Sequence, residues 1–464
     1  MRRTALAATA AAAAGLLAAC SQAAAPAPTA APAPTAAAPT AAATSAPTPA
    51  AAAQASAGAT TITLGYRSGD QTYMDNRKTA FSQETTKINV ELQPSPGSNT
   101  EYYPKLTAAF AAGSAPDAFW VSTGFGLHHL YAYQGQLLPV EDYVKSDNLD
   151  LTQWFPAAIT TLKGVDGKLH ALPWGMHPDE IGLYYNADMF KAAGVAPIDN
   201  DKETIDSLTQ KTKQLTKSTG SHTDVWGILT LVGAFSTGLI SFVRDFGGDF
   251  YTTPEGKAPA MDSKEAMAAL QWLYDLRMTA KSNPRLSELD PANAEQSFIG
   301  GRIAMFNSLC SEMSVKTKIG DKFQLAVGLI PKGPTGVRGS MAHVDTISGY
   351  SKGKHLDEAY QVVKFLTTKE SGVQLAVINA FFGARQDVWD DPRPAQKWGA
   401  DLVNVWKAAV PSTMPLAEPY NFRLTDLETA MNNTLAPLWN GDTTVDQIVP
   451  KLQQAMKAVL DQPR

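Results

Sequence analysis

The chain predicts an α/β body in two domains or lobes, and three observations carry that expectation. Strand and helix patterns alternate along it, and every aromatic residue (9 Trp, 14 Tyr, 17 Phe) lies after residue 60. The roughly 400 residues that follow are also more than one ordinary hydrophobic core holds, so two domains or lobes are expected.

Residues 1–19 have the layout of an export leader. Arg2 and Arg3 supply a positive start, Ala5 to Leu17 a short apolar stretch, and Ala18 and Ala19 the small residues a signal peptidase accepts. The apolar stretch is too short for a retained spanning helix, which needs about 20 apolar residues. Residues 21 to about 60 are almost entirely Ala, Pro and Thr, without an aromatic or charged side chain. Such a segment has nothing to bury, and repeated Pro holds it extended, so it is expected to be a semi-rigid, disordered linker. At about 3.1 Å per residue its reach is on the order of 100 Å.

In the body, Thr61 to Tyr66 alternates like a half-buried strand, Tyr73 to Thr86 has helical spacing, and Ile88 to Gln93 alternates again. Glu101 to Ala112 is helical, and the turn Ser114-Ala115-Pro116-Asp117 leads into a short apolar strand, Ala118-Phe119-Trp120-Val121. A β-α-β-α-β run of this kind builds a parallel sheet with right-handed crossovers. Further on, Asp262-Ser263-Lys264-Glu265 reads as a capping box opening a helix with apolar positions Ala266, Ala269, Leu270, Leu273 and Tyr274. Ile303 to Phe306 and Leu325 to Ile330 read as strands, and Leu356 to Leu366 as an amphipathic helix. No internal repeat is evident.

Formal net charge is −5, and loss of Arg2 and Arg3 with a leader makes it more negative. No run of Lys and Arg stands out, which argues against a nucleic-acid ligand. Of the two cysteines only Cys310 lies in the body, so no internal disulfide is expected. Beyond the leader no stretch is apolar enough to span a membrane.

Leu17-Ala18-Ala19-Cys20 resembles a bacterial lipoprotein lipobox, which implies that Cys20 is acylated and becomes the mature N-terminus. A second resemblance covers nearly the whole body. Ala111 to Trp120, Gln136 to Tyr143, Leu169 to Trp174, Leu183 to Phe190, Phe298 to Met305, Pro331 to Gly333, Ile347 to Lys352 and Ala359 to Leu366 occur in the order found in family 1 extracellular solute-binding proteins of ABC importers. Maltodextrin-binding proteins are members of that family. The resemblance implies a two-lobed α/β clamp with a hinge and a central ligand cleft. It places lobe 1 at 61–174 plus about 341–392, and lobe 2 at about 175–340 plus about 393–464. Hinge strands fall near Pro173 to Asp179 and Gly339 to Thr346. The implied function is capture of a sugar or short oligosaccharide for a membrane permease, by a monomer without a cofactor or metal, held to the membrane by lipid on Cys20.

A sugar site needs flat side chains for apolar C–H faces and directional donors and acceptors for hydroxyls. Trp120 ends a strand at the sheet edge where α/β ligands gather, and cleft and core both suit it. Trp174 falls at the expected hinge and is read as a cleft residue. Trp272, Trp154, Trp398, Trp406 and Trp439 are read as packing. The family resemblance adds Arg67, Ser68 and Asp70 after the first strand, Asn99 and Tyr102 at the second helix, and Ser122 and Thr123 after Trp120. It also adds His177 and Asp179 at the hinge, Asn307 after the Met305-Phe306 strand, and Tyr420 or Phe422 as a further stacking ring. A loop or cap hydrogen bond explains each polar one equally well, as a solvated turn does Arg244, Asp245 and Asp249. Some relatives carry a Trp where this chain has Asn307-Ser308-Leu309-Cys310, a departure that weakens a maltodextrin assignment.

The rival class is a surface-anchored carbohydrate-active hydrolase, whose two carboxylates would stand about 5 to 9.5 Å apart. The His-Glu-x-x-His zinc motif, the Walker loop and the dinucleotide fingerprint are absent. His128-His129 is an adjacent pair, and neighbours in sequence do not face one metal on a helix or strand, so packing or solvation is the expectation. Cys310 is expected to be a buried thiol.

Overall fold

The computed structural model describes residues 58–96, 99–178, 181–235, 238–308, 314–416 and 418–464. Cys20 and nearly all of the linker, Asp179 and Cys310 lie outside the described residues. Among the described residues ten strands are formed, in chain order: β1 (Thr60–Arg67), β2 (Ile88–Ser95), β3 (Ala118–Ser122), β4 (Leu172–Pro178), β5 (Gly182–Asn186), β6 (Lys217–Thr219), β7 (His222–Val225), β8 (Met305–Ser308), β9 (Leu325–Leu329) and β10 (Ala342–Gly349). They make a five-stranded sheet of order β2-β1-β3-β10-β4, a three-stranded sheet of order β8-β5-β9, and the hairpin β6-β7.

The first sheet follows from the alternation expected at its start. β1 pairs in parallel with β2 and β3, with helices Gln71–Glu84 and Asn99–Ala112 as the crossovers. The parallel pairing expected of this run is found; beyond β3 the sheet is mixed, because β10 returns antiparallel between β3 and β4. Strands β3, β4 and β10 are buried along their whole length, as central strands covered on both faces are. Unlike an ordinary central strand, β10 carries His343, Asp345, Thr346 and Ser348 into that interior.

The second sheet centres on β5, antiparallel to both neighbours. Tyr184 stacks on Phe306 of β8 with centroids 5.5 Å apart, and Trp406 from helix Ala400–Ala409 packs against Tyr184. Gly182 admits that indole, since a Cβ there would lie 2.0 Å from Trp406 Cη2. The strand expected over Ile303 to Phe306 starts later, at Met305. Ile303 bridges Trp226 instead, and Ala304 N–H donates to Trp226 O. Helix Lys264–Met278 is capped by Ser263, whose Oγ accepts from Ala266 N–H; with Ala266 at the third helical position the cap is one-sided rather than a box. Helices Leu424–Asn440 and Val445–Leu460 pack on each other and on Lys264–Met278. Trp154, Trp272, Trp406 and Trp439 are buried and Trp398 is half-buried, as packing requires.

Passage between the sheets uses several segments. One lies between β4 and β5, and a second runs from β9 to β10. On the second, Met341 bridges Met414 in parallel, and Ala342 N–H donates to Met414 O at 2.7 Å. Helix Leu239–Asp245 ends on these strands. Arg244 Nη1 donates to Ser340 O and Pro415 O, while Asp245 Oδ1 accepts from Gly339 N–H at 2.9 Å. Asp245 Oδ2 is buried without a partner, and burial pushes the Asp245 carboxyl up to about 8. Arg244 and Asp245 therefore hold the crossing strands rather than forming a solvated turn. Among the described residues, no helix is long and apolar enough to cross a membrane.

Candidate functional site

The polar side chains of β10 meet those ending β1, β3 and β4. Arg67, the last residue of β1, lays its guanidinium over the Trp120 ring, 3.9 Å from the centroid. It is held there by Asp70, one 3-10 turn later, whose Oδ2 accepts from Arg67 Nη2 at 3.2 Å. Asp70 Oδ1 in turn accepts from Asn379 Nδ2 at 2.8 Å. Burial works against the Arg67 charge, but Asp70 and Asp345 outweigh it and push the guanidinium pKa up. Burial likewise raises the Asp70 carboxyl, against the pull of Arg67.

Around Trp120, Tyr103 stacks at 5.5 Å and 27°, and Tyr102 meets the indole edge-on. The Tyr103 hydroxyl accepts from Ser122 N–H, and the Tyr102 hydroxyl donates to Trp120 O. Trp120 is 1% exposed, and its Nε1 is buried without a hydrogen-bond partner.

On the crossing strands, His343 and His177 are register partners whose rings stack at 4.5 Å. A 2.6 Å hydrogen bond joins His343 Nε2 to Ser122 Oγ, and Asp345 Oδ1 stands 3.9 Å from the same nitrogen. Burial, followed by the Arg67 charge, holds His343 down to about 4; burial, followed by His343, holds His177 down to about 3. Both rings are therefore neutral at pH 7. Gly124 makes room for His343, since a Cβ there would lie 2.1 Å from its Cε1. Phe381 lies edge-on to His177 and 5.9 Å from Trp174. It is brought there by Ala380, in the left-handed region at φ 58° just after helix Lys369–Asn379. Such a conformation in a residue other than glycine stores strain, and strain of this kind gathers at functional sites.

The structure thus assembles Arg67, Asp70, Trp120, Ser122 and His177 from the sequence candidates. Trp174 is adjacent but 1% exposed; its Nε1 donates to Tyr73 OH at 3.1 Å and its ring packs on Tyr73. Tyr102 is buried beneath Trp120, and Thr123 Oγ1 accepts from Val344 N–H. Ser68 is exposed, and Asn99 opens its helix. Asn307 is buried in β8, where Oδ1 accepts from Leu231 N–H at 2.7 Å. Tyr420 and Phe422 gather with Tyr133 around the Arg464 guanidinium, 5.3 to 5.7 Å from the three ring centroids. Tyr103, His343, Asp345, Asn379 and Phe381 are members of the cluster that sequence reasoning missed. The one available signal was the alternation of His343 and Asp345 along the expected hinge strand.

Features that would indicate an enzyme are placed otherwise. Gly349-Tyr350-Ser351-Lys352-Gly353 satisfies the Gly-x-Ser-x-Gly pattern, yet Ser351 lies in a turn after β10 and its hydroxyl donates to Gly135 O. A nucleophile elbow instead runs directly from strand to helix beside a histidine. His128 is fully buried, while His129 Nε2 donates to Thr161 O and Nδ1 lies 3.4 Å from Glu418. Among the described residues, no three His, Cys, Asp or Glu side chains are grouped to hold a metal ion.

The family model of bacterial extracellular solute-binding proteins matches residues 65–373. The chain belongs to this family. As a solute-binding protein of the extracellular type it is an exported protein. A binding protein of Brucella abortus (strain 2308) is 23% identical over 298 residues, 64% of this chain and 69% of that one. Among solved structures, the ABC substrate-binding protein of Listeria monocytogenes in complex with cycloalternan is similar with a TM-score of 0.75. It is 20% identical and covers 87% of this chain and 99% of its own. The sugar-binding protein MalE of Xanthomonas citri is also 20% identical, with a TM-score of 0.73, covering 86% and 97%. Both share the mixed α/β, two-lobed fold.

Proposed function

We propose that the chain is the substrate-binding subunit of an ABC importer, taking a sugar or oligosaccharide between its lobes and presenting it to a membrane permease. The observation that carries this reading is the cluster at β1, β3, β4 and β10, where the flat Trp120–Arg67 pair lies among buried polar atoms that lack partners. Flat faces beside unmatched donors and acceptors are what a polyhydroxylated ring requires. The Listeria protein in complex with cycloalternan and the Xanthomonas sugar-binding protein, both of similar fold, support it. In this reading Arg67, Asp70, Trp120, Ser122 and His177 serve the cleft, with Asp179 at its hinge. Lobe 1 takes 61–174 and about 341–392, and lobe 2 the remainder of the body. The subunit acts as a monomer without catalysing a reaction, and lipid on Cys20 tethers it through the 21–60 linker.

The test is a thermal-shift screen of oligosaccharides, with chromatography of each mixture for products. A ligand at one hundred times its Kd stabilises the native state by about 2.7 kcal/mol. Stabilisation without turnover is expected, with a smaller radius of gyration in solution scattering as the lobes close. Released products would establish the surface-anchored hydrolase instead.

A further inference from the structure

We propose that Asp345 and His343 of β10, with the indole N–H of Trp120, determine which ligand the site accepts, and that the group they take is a neutral sugar hydroxyl in preference to an acidic or cationic one. This rests on the carbohydrate reading above and assigns its selectivity to residues of the crossing strand.

Asp345 lies directly opposite Ser122 in the β3–β10 ladder, and directly opposed residues of an antiparallel pair project to the same face. Trp120 and Ser122 are two apart on β3, as are His343 and Asp345 on β10, so all four side chains share one face of the first sheet. On that face three polar atoms are buried and unpartnered: Trp120 Nε1, His343 Nδ1 and Asp345 Oδ1. Folded proteins leave few such atoms, and each one needs an explanation. The residues bearing them are 1%, 8% and 5% exposed.

The three atoms make different demands. An indole N–H only donates and a carboxylate only accepts. A ligand carboxylate or phosphate would satisfy Trp120 but set a second negative charge against Asp345. Arg67 does not offset it, because that guanidinium is already bonded to Asp70 and stabilised by the Asp345 charge, and His343 and His177 are neutral. An ammonium would satisfy Asp345, leave the indole N–H unmatched and stand beside Arg67. A hydroxyl donates to one group and accepts from the other. Neighbouring hydroxyls on one sugar ring meet both, and His343 Nδ1 pairs with either orientation according to its tautomer.

The experiment is calorimetric titration of the full-length protein with three probe sets: neutral di-, tri- and tetrasaccharides of glucose, mannose and galactose; uronate oligomers of matching length; and spermidine. A neutral oligosaccharide should bind in preference to the other two sets. Asp345→Asn should weaken it roughly 10- to 150-fold, the range for a hydrogen bond to a charged group. Trp120→Phe, which keeps an aromatic ring and deletes the N–H, should weaken it roughly 2- to 10-fold. Thermal melting of Asp345→Asn in parallel separates weakened binding from misfolding: the isosteric amide should leave a cooperatively folded protein, so a folded variant that binds weakly supports the inference and a folded variant that binds like the parent overturns it. Tighter binding of a uronate or spermidine, or neutral-sugar binding undiminished by Asp345→Asn, overturns the inference while the importer reading stands. Binding of no saccharide in the panel defeats the carbohydrate reading itself.

Discussion

Asp245 gives the most quantitative test of how the crossing strands are held. Its carboxyl is fully buried, with Oδ1 accepting from Gly339 N–H and Oδ2 unpartnered, and its pKa rises from 3.8 to about 8. Between those values the folded protein holds a proton that the unfolded chain releases. The contribution is therefore complete below about pH 4 and is lost as pH rises toward 8. At 1.36 kcal/mol per pKa unit, the loss between pH 4 and pH 7 is at most about 4 kcal/mol. Asp245→Asn keeps the acceptor for Gly339 and supplies an N–H donor in place of the acid proton, without a titration. Urea unfolding followed by tryptophan fluorescence from pH 4 to 8 should show the two proteins equally stable at the acid end. The variant should then become progressively more stable, by up to about 4 kcal/mol at pH 7, at an unchanged m-value. Shifts at Asp70, Glu418 and the buried histidines are common to both proteins and cancel in the difference. A pH-independent difference, or a variant less stable at pH 7, would refute the claim that burial keeps Asp245 protonated.

Two further outcomes follow from the placement of single residues. Trp174→Ala should cost about 3 to 5 kcal/mol of folding free energy in chemical denaturation, as for a core indole, and Trp174→Phe about 1 kcal/mol for the lost bond to Tyr73; a Trp174→Ala protein that unfolds like the parent but no longer binds sugar would make the ring a ligand contact instead. Cys20→Ser should release the protein from the membrane fraction while leaving its melting temperature unchanged, and equal membrane retention of the variant would remove the lipid anchor from the reading.

Local signals in the sequence were enough for the start of the first sheet, because the alternation over Thr61 to Tyr66 and Ile88 to Gln93 and the apolar run at Trp120 each need only neighbouring residues to be read. The helix after Ser263 was legible for the same reason, its cap and first turn being contiguous. The insertion of β10 between β3 and β4 was not, since that pairing joins segments far apart in sequence and leaves no local mark. The site shows the same division. Trp120 stood out at a strand end and the family resemblance supplied Arg67 and Asp70, whereas Tyr103 differs only in helical phase from the Tyr102 that the resemblance supplied. It is Tyr103 that stacks on Trp120 and receives Ser122 N–H. His343 and Asp345 lie in the expected hinge strand, but only their tertiary partners reveal that they are buried polar groups.

The place of β10 also bears on how the protein is made. β3 and β4 are synthesised early, but the strand that lies between them arrives only after residues 179–341. Until then each presents an open edge, and the five-stranded sheet lacks the strand that carries His343 and Asp345. Pairings so distant in the chain form slowly. For an exported polypeptide that order is an advantage: a five-stranded sheet that cannot close before its late middle strand is made leaves the growing chain easier to thread through a membrane channel.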